Sequence, residues 1–243
     1  MAESAYLPRV AIQNSNVLDS PRHSALVRVT HWIHSVSFIA LVVSGIAILL
    51  AHPRLYSGET GAVGTPSLID LPLPFVLKLQ IRGPGRYLHF LSAWICVLTG
   101  LLYVLSGIFT RHFWKNLVPN KTEFSWEAIA RVVSNHMHLR RPAEEESPSY
   151  NVLQRLSYLA VIFLLFPLII VTGLAMSPAI TSVFPVIVTV FGGQQSARTI
   201  HFFVSAALVL FLIVHITMVC LAGFKSRMLA MITGHSAAGK GHS

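Results

Sequence analysis

Five histidines stand inside apolar runs of this chain: His31, His34, His89, His201 and His215. Imidazole within a membrane span is costly and marks a functional site with a partner to be named. Its neutral nitrogen is also a ready metal ligand. His201 and His215 lie fourteen residues apart. On a helix that is about 21 Å along the axis and only about 40° in azimuth. One face of one helix would then carry an imidazole near each side of a bilayer about 30 Å thick. The chemistry that calls for this arrangement is axial ligation of two haem irons at two depths. Each iron would be completed by a histidine from another helix of a bundle.

Spans must exist to hold those histidines, and the composition provides them. Hydrophobic residues make up 53% of the 243, charged residues 11%, and mean hydropathy is +0.64. A soluble domain carries roughly 25% charged residues, so the chain reads as an integral membrane protein. Four spans are expected, at about 26–50, 86–110, 151–176 and 197–224, within one domain over 25–234. A polar tail (1–24) precedes it and a short tail (235–243) follows. No cleavable signal peptide is expected, because the first apolar run follows more than twenty polar residues and is too long for one. Gly and Pro break up the 51–86 connection, leaving room for a short interfacial helix over 73–81. An amphipathic helix is expected near 125–138, a loop over 177–197, and a kink at Pro167.

The net charge of +9 is a matter of orientation rather than of nucleic acid, for which no compact basic domain exists. Thirteen of the eighteen lysines and arginines fall in the two terminal regions and the 111–155 connection. That bias places both termini in the cytoplasm and the 51–86 and 177–197 loops outside. The expected fold is thus all-α: a four-helix transmembrane bundle with two stacked b-type haems, in contact with membrane lipid.

Topology then pairs the ligands. Span one starts inside, so His31 lies at the inner level. Spans two and four start outside, so His89 and His201 share the outer level, and His215 returns to the inner one. The expected iron ligands are His89 with His201 outside, and His31 with His215 inside. Arg28, Arg86 and Arg198 each precede a ligand by three residues. There they can offer a forked donor to haem propionates, or snorkel to lipid phosphate. Gly45, fourteen residues after His31, gives room at the outer level. Ser44, Gly100, Gly107 and Gly173 read as ordinary small residues of helix contacts. His34, about 60° from His31, is expected to contact a propionate or a neighbouring helix, with ligation in place of His31 as the alternative. The remaining histidines read as surface residues.

Other chemistries fit less well. Cys96 and Cys220, without a Cys-x-x-Cys-His, exclude covalent c-type haem, iron–sulfur clusters and a cysteine zinc site; both read as buried packing residues. A proton- or metal-coupled transporter would call for an acidic residue inside a span, and none has one.

Several motifs carry a likeness. Arg28-x-x-His31-Trp32, Arg86-x-x-His89-Phe90 and Arg198-x-x-His201 with His215 resemble the prokaryotic dihaem b-type cytochromes, which include the membrane subunits of nickel–iron hydrogenase and formate dehydrogenase. Leu55–Gly61, Tyr150–Tyr158, Thr172–Pro178, Gly192–Phe202 and Met231–Gly234 look closest to the thiosulfate reductase cytochrome b subunit-like group. The likeness covers about residues 22–234. Ser57 stands where that pattern has an aromatic, and Gln194 where it has an arginine. The resemblance implies an electron-transfer subunit of a bacterial inner-membrane oxidoreductase complex, exchanging electrons with the quinone pool. Its partner would be a periplasmic molybdopterin-containing subunit docked on the 51–86 loop around Tyr56, Gly58 and Glu59. The alternative on the same scaffold is a stand-alone membrane oxidoreductase of the superoxide oxidase or ferric reductase type.

Overall fold

The computed structural model describes residues 24–61, 64–71, 84–118, 152–221 and 223–234. The helices expected over 73–81 and 125–138, and both terminal tails, lie outside these residues. Four long helices dominate. Span one is α1 (Ala25–Ala51) and span two is α2 (Pro84–Phe109). Span three is α4 (Val152–Ala160), continued through a π-helical turn (Val161–Leu165) into α5 (Phe166–Ala175). Span four is α8 (Gln194–Leu221). Each is long and apolar enough to cross a bilayer, with windows of mean hydropathy 2.4, 2.0, 2.6 and 2.6. Their outward faces carry exposed Val, Ile, Leu and Phe, which suits lipid rather than water. The expected membrane four-helix bundle is the architecture found.

Span one opens on Ser24, whose hydroxyl accepts the Val27 amide, an N-cap that satisfies one orphan donor. Thr30, Ser37 and Ser44 then recur every seven residues as its buried positions. Small residues let membrane helices approach closely, and span one packs chiefly on span two, where Ser92 and Cys96 are buried. Hydroxyls within the spans bond back to carbonyls of their own helix, as Thr30 does to Leu26 and Thr99 to Ile95. Their desolvation in the membrane is thereby met locally. Spans three and four form a second pair around Val161, Val204 and Leu208, and Phe38 of span one reaches into that cluster.

Several details add to or differ from the sequence reading. Pro167 does not simply kink span three. It lacks an amide to bond four residues back, and the preceding turn widens so that the Phe166 amide reaches Val161 instead, a π-bulge that keeps the helix continuous. The 51–86 connection contains an antiparallel ribbon, β1 (Arg54–Leu55) with β2 (Ile69–Asp70), closed by an Arg54–Asp70 ion pair at 3.1 Å. The 177–197 loop holds two short helices, α6 (Pro178–Thr181) and α7 (Val186–Val190). Span four stops at Leu221. Gly223, at φ 94°, breaks the chain, and α9 (Phe224–Thr233) follows. Cys220, expected to be buried, is exposed; Cys96 is buried as expected. A short helix, α3 (His112–Asn116), follows span two, its Phe113 ring lodged against Gly107.

Two contacts fix which ends lie together. Arg28 Nη1 donates to the Ile232 carbonyl at 2.8 Å and Trp32 Nε1 to that of Met231 at 3.1 Å. The start of span one therefore meets the end of α9. At the opposite end, the one expected to be the outer end, Arg198 Nη2 donates to the His52 carbonyl, joining the end of span one to the start of span four.

Candidate functional site

The outer pair comes together. The His89 and His201 rings face one another with centroids 6.4 Å apart and planes at 59°. Each ring is held by the helix beside its own. Ser44 Oγ of span one lies 3.0 Å from His89 Nδ1, and Thr172 Oγ1 of span three lies 3.0 Å from His201 Nδ1. Glycines lie under both rings. A Cβ on Gly45 would come 3.7 Å from His89 Cε1, and one on Gly173 would come 3.5 Å from His201 Cε1. Gly45 thus makes room first for an imidazole.

Those distances give a testable asymmetry. Alanine at 45 or 173 adds a methyl at ordinary contact distance, and alanine is about 1 kcal/mol better than glycine in a helix. Leucine at either site drives into the ring and should cost about 1–3 kcal/mol. Thermal unfolding in detergent should therefore rank alanine at or above the natural glycine and leucine below it. A leucine variant of unchanged stability would show that the rings are free to move aside.

At the other end His31 is half-buried, with its ring edge-on to Trp32 at 5.5 Å. His215 stacks on Phe211 at 6.0 Å and 21°, with Tyr158 edge-on at 6.3 Å. His34 turns toward the neighbouring helices. Its Nδ1 is 3.1 Å from the Thr30 carbonyl, its ring meets Phe166 edge-on, and a Cβ on Gly100 would come 3.3 Å from its Nε2.

The arginines have protein partners of their own. Arg28 holds the Ile232 carbonyl and Arg198 that of His52, while Arg86 is exposed. Burial first, and then the Arg198 and Arg86 cations, keep the His52 imidazole below its ordinary pKa. That imidazole is neutral at pH 7, flanked by the two cations. A cleft of about 730 Å³ opens there, lined by His52, Arg54, Tyr56, Met176, Gln194 and Arg198 among others.

The outer loop is stitched to the start of span four. The Gly58 carbonyl accepts the Gln195 amide at 3.0 Å and the Ser196 amide at 3.3 Å, two of the orphan donors of a helix N-terminus. Ser196 Oγ accepts the Gly58 amide at 2.8 Å, and Thr199 Oγ1 donates to the Tyr56 carbonyl at 2.7 Å. Tyr56 and Gly58 thus turn their carbonyls inward, while Glu59 stays exposed. Ser57 joins the seam, its Oγ 3.3 Å from that of Ser196.

Sequence reasoning took Ser44 and Gly173 for ordinary small residues of helix contacts and gave Thr172 no part in the site. The available signal was a Ser/Thr-Gly dipeptide near the outer end of both span one and span three.

Comparison with known proteins gives the family. YedZ1 of Azospira oryzae, provisionally named as a protein-methionine-sulfoxide reductase subunit, is 29% identical over 218 residues, covering 88% of this chain and 96% of its own. No solved structure matches the chain. Residues 22–234 match the prokaryotic cytochrome b561 family, whose members bind b-type haem. With four spans and that match over nearly all of its length, the chain belongs to the prokaryotic cytochrome b561 family and is a multi-pass membrane electron-transfer protein.

Proposed function

We propose that this chain is a dihaem cytochrome b that carries electrons across the bacterial inner membrane, between the quinone pool and a redox partner on the outer face. His89 and His201 are the outer iron ligands, and His31 and His215 the inner ones. The observation that carries this reading is the 6.4 Å between the facing rings. Two metal–imidazole bonds of about 2 Å, with the distance from each nitrogen to its ring centre added, come to about 6 Å. Both Nδ1 atoms are already engaged by hydroxyls, so each Nε2 remains for the metal. The donor set, two neutral imidazoles between helices, is that of a bis-histidine b-type site.

Bound haem would supply a one-electron carrier at each level. The chain supplies the rest. The spans exclude water and keep the dielectric low around the imidazoles. The fourteen-residue spacing along span four sets the two levels about 21 Å apart along its axis. Arg86, Arg198 and the neutral His52 form a field suited to propionate carboxylates at the outer end. At the inner end Arg28 has a buried Nε with no hydrogen-bond partner among the described residues, a donor that a propionate would satisfy. His34, packed on Gly100 and Phe166, is a wall of the inner site rather than an iron ligand.

The partner is proposed to be a periplasmic molybdopterin oxidoreductase. Support comes from the likeness to YedZ1, itself provisionally named as a subunit of a reductase, and from an outer loop held rigidly with Glu59 exposed. Such a loop suits a docking surface and has no evident role in a stand-alone oxidoreductase.

Redox titration of the purified chain tests the reading. The expected result is two b-type haems per chain, low-spin in both oxidation states, with two separable midpoint potentials and reduction by a quinol analogue. A single haem, or a colourless protein, would overturn it.

A further inference from the structure

We propose that Ser44 and Thr172 are positioning residues for the outer iron site. Each hydroxyl accepts the Nδ1–H of the facing imidazole, which leaves Nε2 as the metal-binding nitrogen and makes both ligands richer in electrons. This rests on the assignment of His89 and His201 as the outer pair.

Counting protons gives the direction of the bonds. A serine or threonine hydroxyl has one proton to donate. Ser44 Oγ lies 2.6 Å from the Ala40 carbonyl, and Thr172 Oγ1 lies 2.7 Å from the Leu168 carbonyl. Carbonyls only accept, so both hydroxyl protons are committed along their own helices. The same oxygens sit 3.0 Å from His89 Nδ1 and His201 Nδ1, and a hydroxyl with its proton spent can only accept there. The backbone carbonyls of Leu41 and Ile169, each three residues before the hydroxyl, face the same two imidazoles as further acceptors. A neutral imidazole has one N–H. With that proton on Nδ1, the lone pair is on Nε2.

The construction occurs twice, on helices far apart in sequence. Ser44-Gly45 of span one holds the histidine of span two, and Thr172-Gly173 of span three holds that of span four. Packing explains the glycines; Ser44 and Thr172 differ from Thr30 and Ser37, hydroxyls of an ordinary helix seam, in facing an imidazole Nδ1 at 3.0 Å. Ser44 is 2% exposed and Thr172 0%, and alanine or valine would fill such apolar sites without a buried polar atom to satisfy. Hydrogen-bonded outer partners of a ligating histidine fix its tautomer and raise its basicity. A more basic ligand favours the ferric state, so the two hydroxyls lower the midpoint of the outer haem.

The test is a potentiometric titration of the full-length chain in membranes. His89→Ala first identifies the outer component by its loss. Ser44→Ala and Thr172→Val should each raise that component's midpoint and leave the other unmoved, and the double variant should raise it further. Ser44→Thr and Thr172→Ser, which keep the hydroxyl, should titrate like the natural chain. If Ser44→Ala or Thr172→Val loses the outer haem while the hydroxyl-keeping variants retain it, the proposal also stands. An unmoved midpoint with both haems bound in Ser44→Ala and Thr172→Val would overturn it, and so would haem loss in the hydroxyl-keeping variants. If His89→Ala leaves both haems in place, the ligand assignment falls and this proposal with it.

Discussion

His201→Ala and His215→Ala, two changes on one helix, should each remove half of the bound haem, and each a different half. With His201→Ala the component that also depends on His89 should disappear from the redox titration and the other should stay. His215→Ala should do the reverse, along with His31→Ala. Loss rather than perturbation is expected, because the iron would keep a single protein ligand; even loss of an outer hydrogen-bond partner costs about 10–100-fold in metal affinity. The bundle itself should survive His201→Ala. Thr172 keeps its bond to the Leu168 carbonyl at 2.7 Å, so no buried hydroxyl is orphaned. The apolar contacts of Val204 and Leu208 with span three lie one and two turns further along the helix. Haem content per chain, measured beside circular dichroism, separates ligand loss from unfolding. Retention of both haems in all four variants would refute the ligand scheme.

The outer level was legible because two simple rules act on it together. Hydropathy located the spans, and alternation of direction put His89 and His201 at one height, where the rings indeed face one another. The fourteen-residue spacing from His31 placed Gly45 at that height too, and it lies against His89. What escaped was the chemistry of small residues. In one sequence, a serine or threonine before a glycine in a membrane helix is indistinguishable from an ordinary close-packing seam. Thr30 and Ser37, buried on the same stripe as Ser44, show how ordinary it looks. Only the arrangement of the four helices shows which hydroxyl meets an imidazole. The arginines were placed at the right ends but not with their full set of partners. Backbone carbonyls at helix ends, such as those of His52 and Ile232, compete for guanidinium and leave no trace in residue type. The break at Gly223 was hidden because the apolar character of span four continues through Phe224, whereas a left-handed φ is a property of the backbone.

The second large effect lies away from any histidine. Gly193→Ala should cost more than about 3 kcal/mol, whereas Gly192→Asn next to it should cost no more than about 1 kcal/mol. Both glycines have positive φ, at 120° and 70°. The value at 192 falls near the left-handed region that asparagine tolerates, and a Cβ there meets nothing within 4 Å. The value at 193 lies outside that region, and a Cβ would overlap the Gly58 carbonyl and crowd the Glu59 amide at 2.6 Å. Neither neighbour can yield cheaply, since that carbonyl holds the Gln195 and Ser196 amides at the start of span four. Alanine at 193 must therefore push the outer loop away from the helix, freeing two amides and the Tyr56 carbonyl that Thr199 now satisfies. Limited proteolysis should show cleavage within 54–61 in Gly193→Ala and protection in both the natural chain and Gly192→Asn. His201 lies two turns further along span four, below the disrupted end, so the outer haem should remain bound while transfer to the outer partner falls. A loop still protected in Gly193→Ala would refute the predicted clash, and a loop opened to protease with transfer unchanged would show that it is not the docking surface. Equal haem content with lost transfer would separate docking from ligation, which no histidine variant can do.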